Sequence, residues 1–432
     1  MLKACFRTPL LPVFLAALVV KVIILLLIIP ELREIFPRLY QLNMFPDGYD
    51  KLAVNLMQGN GYRFYPETAE TLLRAPGYAL FLSIIFLSFG KNLIAVKLVN
   101  LILTFITAWI VMRIARRFGS SDMVTLLSPL LFLFHPAVIL AESRGGLEIL
   151  LTCLTTLFML VLYEALERKK RVHYFLAGSV LGLTALVKSS TILFPAFLCV
   201  YLLFMERNSR TVKSILTDIA AMVIAMLVVL SPWIIRNYSL TGKFIPTQSI
   251  LGFSAGQGLY ACKHLSTKND VQRLVRHAAR QQAQLAKQRG LLFRQGFIPY
   301  FYSSEDEVEF GAYLWKRVRD EYQESPSLLV RCSLLNLYRF WFGGRTKLST
   351  GLNIGVQLPF LILAITGLYL CIRNGQARRV GPMILFIAYY VAVHLPILGL
   401  ARYSVPLIPF LAFLACIPLG AAWSRRTPKG QA

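Results

Sequence analysis

The chain has 432 residues, of which 56% are hydrophobic and only 16% charged, with a mean hydropathy of +0.59; a soluble protein carries about a quarter charged residues. Forty-six basic residues against 21 acidic ones leave a formal net charge of +25. This composition excludes a soluble enzyme. Several apolar runs reach the roughly 20 residues that cross a bilayer, so the basic excess is assigned to cytoplasmic loops and anionic lipid, not to nucleic acid.

The first apolar run, 10–30, follows Lys3 and Arg7. It begins like a signal peptide, but it is too long and no small-residue cleavage site ends it, so it reads as a retained span. Phe45-Pro46-Asp47-Gly48-Tyr49-Asp50 comes next, continuing through Leu56 to Gly59-Asn60-Gly61-Tyr62. A Pro-Asp-Gly triplet makes a turn, and an aspartate before a helix can cap it. Tyr49, Leu52, Ala53 and Leu56 share one helical face. Asp47 is also a candidate catalytic carboxylate at a membrane surface. Leu73-Arg74-Ala75-Pro76-Gly77-Tyr78 then leads into the short apolar run Pro76–Gly90.

Basic clusters punctuate the rest: Arg113, Arg116 and Arg117; Arg168 to Arg171; Arg207, Arg210 and Lys213; Arg373, Arg378 and Arg379; Arg425, Arg426 and Lys429. Short basic loops stay cytoplasmic, so the chain must leave and return between consecutive clusters. That parity allows two crossings between Arg7 and Arg113 and makes 76–90 an interfacial or re-entrant helix. The spans are then 10–30, 94–112, 122–140, 148–165, 173–188, 191–205, 214–235, 355–372, 381–400 and 404–423, an all-α bundle of about ten helices with both termini cytoplasmic. Three parts are expected: a transmembrane module over 1–235, an extramembrane region over 236–353, and C-terminal helices with a tail over 354–432. Segment 327–345 is amphipathic and interfacial.

The opposite face collects the loop 31–93 with Asp47 and Arg74, the turn with Glu142 and Glu148, and Lys188, Arg236, Arg402 and Tyr403. An ionisable group at membrane depth costs roughly 2.5–3.5 kcal/mol. Lys188 there is either a snorkelling lysine or a phosphate ligand. Lys21 and Lys97 either snorkel or have an internal partner. Arg236, beside Trp233 and Tyr238, is an interfacial anchor or a site residue. Arg402 is a lone arginine in a short outer loop, and a guanidinium suits bidentate contact with phosphate. The five histidines show no metal-ligand spacing, and there is neither a G-x-S-x-G nor a Walker loop. Asp270–Arg289 reads as a basic helix, either solvated or in contact with an anionic surface. Cys262 and Cys332 share the long polar loop and could pair; Cys153, Cys199, Cys371 and Cys416 are core residues.

Taken in order, Pro46 to Asp50, Leu52 to Leu56, Gly59 to Tyr62, Arg74 to Tyr78, Pro232 to Tyr238 with Gly242-Lys243-Phe244, and Arg402-Tyr403 with Pro406 and Pro409 resemble the GT-C superfamily of membrane glycosyltransferases. Within it, the chain is similar to the bacterial branch related to protein O-mannosyltransferases and lipid A aminoarabinose transferases. The resemblance implies an inner-membrane enzyme that takes a sugar from a polyprenyl-phosphate donor to a lipid, glycan or protein acceptor on the periplasmic side. It implies Asp47 as the catalytic aspartate, Glu142 or Glu148 as a second acidic residue, and no certain cofactor, with room for a divalent metal. An inverting displacement with Asp47 as general base fits these residues, with Arg74, Lys188, Arg236, Arg402 and Tyr403 as donor-phosphate candidates. A transporter or lipid-sugar flippase is the alternative, although it would place charges at mid-span and show repeated halves.

Overall fold

The computed structural model describes residues 10–31, 45, 47–264, 271–296, 298–344 and 346–426. Lys3, Arg7, Pro46, Asp270 and Lys429 lie outside the described residues.

Helices dominate. The first half holds α1 (Leu10–Ile23, continued by a π turn to Ile28), α2 (Tyr49–Met57), α3 (Pro76–Phe89), α4 (Leu93–Arg117), α5 (Asp122–Leu133), α6 (Pro136–Glu142), α7 (Glu148–Arg168), α8 (Arg171–Val187), α9 (Phe194–Met205) and α10 (Val212–Thr241). The second half holds α11 (Leu251–Lys263), α12 (Val271–Gln288), α13 (Ser304–Glu324), α14 (Pro326–Phe342), α15 (Lys347–Arg373), α16 (Ala377–Ala392) and α17 (Ile408–Arg426). Strands β1 (Phe293–Arg294) and β2 (Tyr300–Phe301) pair antiparallel, with Phe293 opposite Phe301.

Among the described residues, six helices are long and apolar enough to cross a membrane: 12–31, α4, α7, α10, α15 and 401–422. The pair α5 and α6, bent by 50°, makes a seventh if counted as one span. The other expected spans fall on shorter helices: α8, α9 and α16, of 17, 12 and 16 residues. Proline is one reason, because it is tolerated in a first turn and disrupts a helix elsewhere. Pro136 opens α6 and Pro195 opens α9. Apolar composition reads straight through such breaks. The chain is a multi-pass, all-α membrane protein.

The short helix α3 is two-faced. Tyr78, Ala79, Leu82, Ile85 and Phe86 are buried, while Leu80, Ile84 and Leu87 are exposed. Its start presses on the end of α8: a Cβ on Gly77 would lie 2.8 Å from the carbonyl oxygen of Leu186. Bulk at this position would push α3 off the site described below.

Lys21 does not snorkel. Its Nζ lies 2.6 Å from Glu142 Oε2 and donates to the carbonyl of Leu133 at 2.7 Å, with both charged side chains fully buried. This pair ties α1 to the bent α5–α6 unit. Lys97 is buried as well.

Helices α11 to α14 lie between α10 and α15 in the chain, and among the described residues none of the four meets the length and hydropathy of a membrane span. Cys262 on α11 and Cys332 on α14 are joined by a disulfide, with 5.6 Å between their Cα atoms. Helix α12 turns Leu274, Ala278 and Ala279 inward and leaves Arg276, Arg280 and Lys287 exposed. Helix α14 buries Cys332, Asn336, Arg339 and Phe340 and exposes Val330, Leu334, Leu337 and Tyr338, the amphipathic division expected of 327–345.

Candidate active site

The residue that caps α2 is not Asp47 but Gly48, at φ 74°, and no side chain caps that end. Left-handed backbone suits glycine, and the sequence supplies it there. The Asp47 carboxylate is therefore free for another partner. It accepts two parallel bonds from Arg402, Nη1 to Oδ2 and Nη2 to Oδ1, each 2.9 Å. This bidentate fork is the strongest geometry available to a carboxylate and an arginine. It joins residues 355 positions apart.

Arg402 projects from a 3-10 segment, Ala401–Leu407, that leads into α17. Its Nη1 also lies 3.5 Å from Oε1 of Glu148, the first residue of α7. The guanidinium thus bridges two carboxylates. Arg74 approaches from the other side: Nε donates to the Asp47 carbonyl at 3.3 Å, and Nη2 is 4.0 Å from Oδ1. The backbone at Arg74 is fixed by its surroundings. Ala75 is extended, as a residue before proline must be. The Tyr62 hydroxyl donates to the carbonyls of Arg74 and Ala75 at 3.2 and 3.0 Å, and Gln248 accepts from the Ala75 N–H at 3.1 Å.

Lys188 follows the last turn of α8. Its Nζ stands 3.7 Å from the Tyr403 ring centroid and donates to the Tyr390 hydroxyl at 3.4 Å. Arg74, Lys188 and Arg402 thus surround Asp47 and Glu148: two guanidiniums, and an amine whose pKa burial lowers to about 7, against two carboxylates. An arriving anion would favour the protonated form of Lys188. Burial pushes the Asp47 pKa up, but Arg402, Arg74 and Lys188 outweigh it and hold the carboxyl below its ordinary value. Asp47 is ionised at neutral pH.

The structure therefore brings together Asp47, Arg74, Glu148, Lys188, Arg402 and Tyr403. It places Glu142 and Arg236 elsewhere. Glu142 belongs to the buried pair with Lys21. Arg236 pairs with Glu70 at 2.6 Å, donates to the Thr71 carbonyl at 3.1 Å, and lies over the Trp233 ring. It anchors the 70–72 stretch that leads to Arg74. Glu307 on α13 grips the same stretch, accepting from Thr71 Oγ1 and the Leu72 N–H, both at 2.7 Å. Its pKa is pushed up to about 7 by burial. Sequence reasoning missed Glu307, which looks like one of three ordinary acidic residues in a helix's first turn.

These placements separate the two glutamates by experiment. Glu148→Gln is expected to reduce turnover with little change in melting temperature. Glu142→Gln should leave Lys21 buried and unpaired and cost about 3–5 kcal/mol of stability. Thermal melts of the two variants, set beside their turnover, check the division; equal melting temperatures would contradict it.

A cavity of about 330 Å³ adjoins the cluster on the Glu148 side of Arg402. Its lining includes Leu140, Leu352 and Val356 as well as Arg144, Glu148, Arg339 and Arg402. Among the described residues, no group of three or more His, Cys, Asp and Glu side chains is placed to hold a metal ion.

Residues 73–235 match the family described as dolichyl-phosphate-mannose-protein mannosyltransferase. No curated protein matches the chain. Among solved structures, the apo oligosaccharyltransferase of Archaeoglobus fulgidus is similar at TM-score 0.58 and 13% identity, over 97% of this chain and 51% of that one. AglB from the same organism, determined with an inhibitory peptide and a dolichol-phosphate, aligns at TM-score 0.52 and 12% identity, over 87% and 46%. ArnT from Cupriavidus metallidurans, bound to undecaprenyl phosphate, aligns at TM-score 0.39 and 14% identity, over 87% and 73%. The chain spans about half the length of the oligosaccharyltransferases it matches.

Proposed function

We propose that this chain, a membrane protein with the GT-C fold, is a glycosyltransferase that moves a sugar from a polyprenyl-phosphate-linked donor to an acceptor, with inversion. The observation that carries this reading is the Asp47–Arg402 fork with Arg74 and Lys188 around it. A base and a set of phosphate ligands are assembled at one point, and at rest they hold each other.

The chemistry follows from that arrangement. An acceptor hydroxyl is a poor nucleophile, and Asp47 takes its proton as the oxygen attacks the anomeric carbon. The bond from that carbon to the lipid-phosphate oxygen breaks, and the phosphate leaves with the electron pair. It needs charge neutralisation more than a proton, which Arg402, Arg74 and Lys188 supply. At rest Arg402 keeps Asp47 a weak base. A donor phosphate competes for the guanidinium, loosens the fork, and returns basicity to the carboxylate when a leaving group is in place. Tyr403 sets the position of Lys188. Arg236 acts one step back, by fixing the 70–72 stretch that leads to Arg74.

The site is read as facing the periplasm of a bacterial inner membrane, with both termini cytoplasmic. Two observations support this. Helix α7 begins at Glu148 and ends at Arg168, while α8 begins at Arg171 and ends beside Lys188, so the basic clusters lie at the helix ends away from the site. The Cys262–Cys332 disulfide, in the 236–353 region on the site's side, fits an oxidising compartment. On this reading 1–235 carries the catalytic groups, 236–353 shapes the acceptor side, and 354–432 supplies Arg402 and Tyr403. The cavity beside Glu148 takes the acceptor.

Mass spectrometry of envelope glycans and glycolipids from a strain lacking the gene tests this reading. One sugar should be missing from one class of molecule, and re-expression should restore it. An unchanged profile, with the untransferred donor also unchanged, would overturn it.

A further inference from the structure

Three arginines line the cavity, the partly buried Arg144 and Arg402 and the buried Arg339, and the chemistry above does not use Arg339. It is 2% exposed. Nη1 donates to Asn336 Oδ1 at 3.3 Å and Nη2 to the Ala261 carbonyl at 3.1 Å, both neutral acceptors. Among the described residues it has no carboxylate partner, and burial alone pushes its pKa down to about 10. A buried cation without a counter-charge is strongly unfavourable unless something else supplies the charge.

The same cavity holds one further unmatched donor. Gln357 is 5% exposed, and its Nε2 has no acceptor. His135 is 4% exposed; its Nδ1 accepts from the Ala137 N–H at 3.3 Å, so the neutral ring carries its proton on Nε2, which is directed at the Gln357 side chain and orients it. The one carboxylate on the lining is Glu148, which already faces Arg402. Buried polar groups normally have partners, and among the described residues the Arg339 charge has no counter-charge and Gln357 Nε2 no acceptor.

We propose that the cavity contains an oxyanion subsite, formed by Arg339 with the Gln357 amide, that receives an anionic group carried by the acceptor. It shares the cavity with Arg402 but uses Arg339 where the donor-phosphate position uses Arg74 and Lys188. Assigning the anion to the acceptor rests on the glycosyltransferase reading; the existence of the subsite does not. A neutral glycan would leave Arg339 unmatched, so the acceptor class is an anionic one.

Inorganic phosphate is the probe. Trp341 lines the cavity, so tryptophan fluorescence of the purified full chain in lipid nanodiscs reports occupancy, with Trp341→Phe as the control for the signal. At constant ionic strength, wild type should show a saturable response. Arg339→Gln should weaken it by about tenfold or more, while Arg339→Lys keeps part of it and Lys188→Met leaves it in place. No saturable response in wild type, or equal affinity in Arg339→Gln, would overturn the subsite. A response abolished by Lys188→Met but kept by Arg339→Gln would assign the anion to the donor position and equally overturn it. With an acceptor in hand, Arg339→Gln should raise the acceptor KM and spare the donor KM; the reverse pattern would overturn the acceptor assignment. Phosphate binding without any sugar transfer would instead count against the transferase reading and leave the subsite standing.

Discussion

Asp47→Asn is expected to lower sugar transfer by about 10²–10⁴-fold, the range associated with loss of a positioned general base. The asparagine keeps the size and one acceptor oxygen, so Arg402 retains a partner at Asp47 and keeps Glu148 at 3.5 Å. The fold should therefore survive. The site's positive charge rises by one when the carboxylate is removed, so donor affinity should hold or improve while turnover falls. That combination distinguishes a lost base from a lost binding site, because a binding defect raises KM and spares kcat.

Arg402 variants should come next in severity. Arg402→Lys keeps the charge but cannot form the fork, since an ammonium is a point charge with no planar pair of donors. Transfer should drop by about 10²–10³-fold, comparable to losing an oxyanion ligand. Arg402→Gln has a second consequence. It leaves Asp47 and Glu148 without the cation between them. The Asp47 pKa, now held down chiefly by Arg402, then rises. The sign is clear: a general base works in its ionised form, so as pH falls the residual activity is lost at a higher pH than in wild type. The acid limb of the pH–rate profile, measured on wild type and Arg402→Gln together, checks this. An unmoved limb would mean that Arg402 does not control Asp47.

Much of the site was legible in the sequence, in one respect only. Charge parity places Asp47, Arg74, Glu148, Lys188 and Arg402 on the same membrane face, because basic loops report topology directly. Parity says nothing about position within the face. Glu142 and Glu148 lie six positions apart in one turn, yet one is locked to Lys21 in the bundle and the other meets Arg402. Arg236 ends an apolar run as Lys188 does, but Glu70 holds it. These outcomes depend on partners far away in sequence, which no local pattern encodes. Of the two local readings of Asp47, turn or cap, the turn holds and the cap position falls to Gly48, because a triplet of turn residues does not say which one takes the positive φ.

The expected spans fall on helices of unequal length. Hydropathy sums over residues and ignores backbone breaks, so runs interrupted at Pro136 or closed near Lys188 read as full spans although their helices are shorter. The region 236–353 is the least readable part. Its framework rests on the Cys262–Cys332 bond, on Glu307 reaching Thr71, and on Arg339 reaching Ala261. Each is a long-range contact between residue types that are common in any loop.

The most direct test of the central claim is single-turnover transfer from a labelled polyprenyl-phosphate sugar, using wild type and Asp47→Asn in the same liposomes, with donor binding measured on the same samples. Wild type should move the label to acceptor with inverted anomeric configuration. Asp47→Asn should bind donor at least as well and transfer about 10²–10⁴-fold more slowly. Near-normal transfer by Asp47→Asn, or retention of configuration by wild type, would contradict the account.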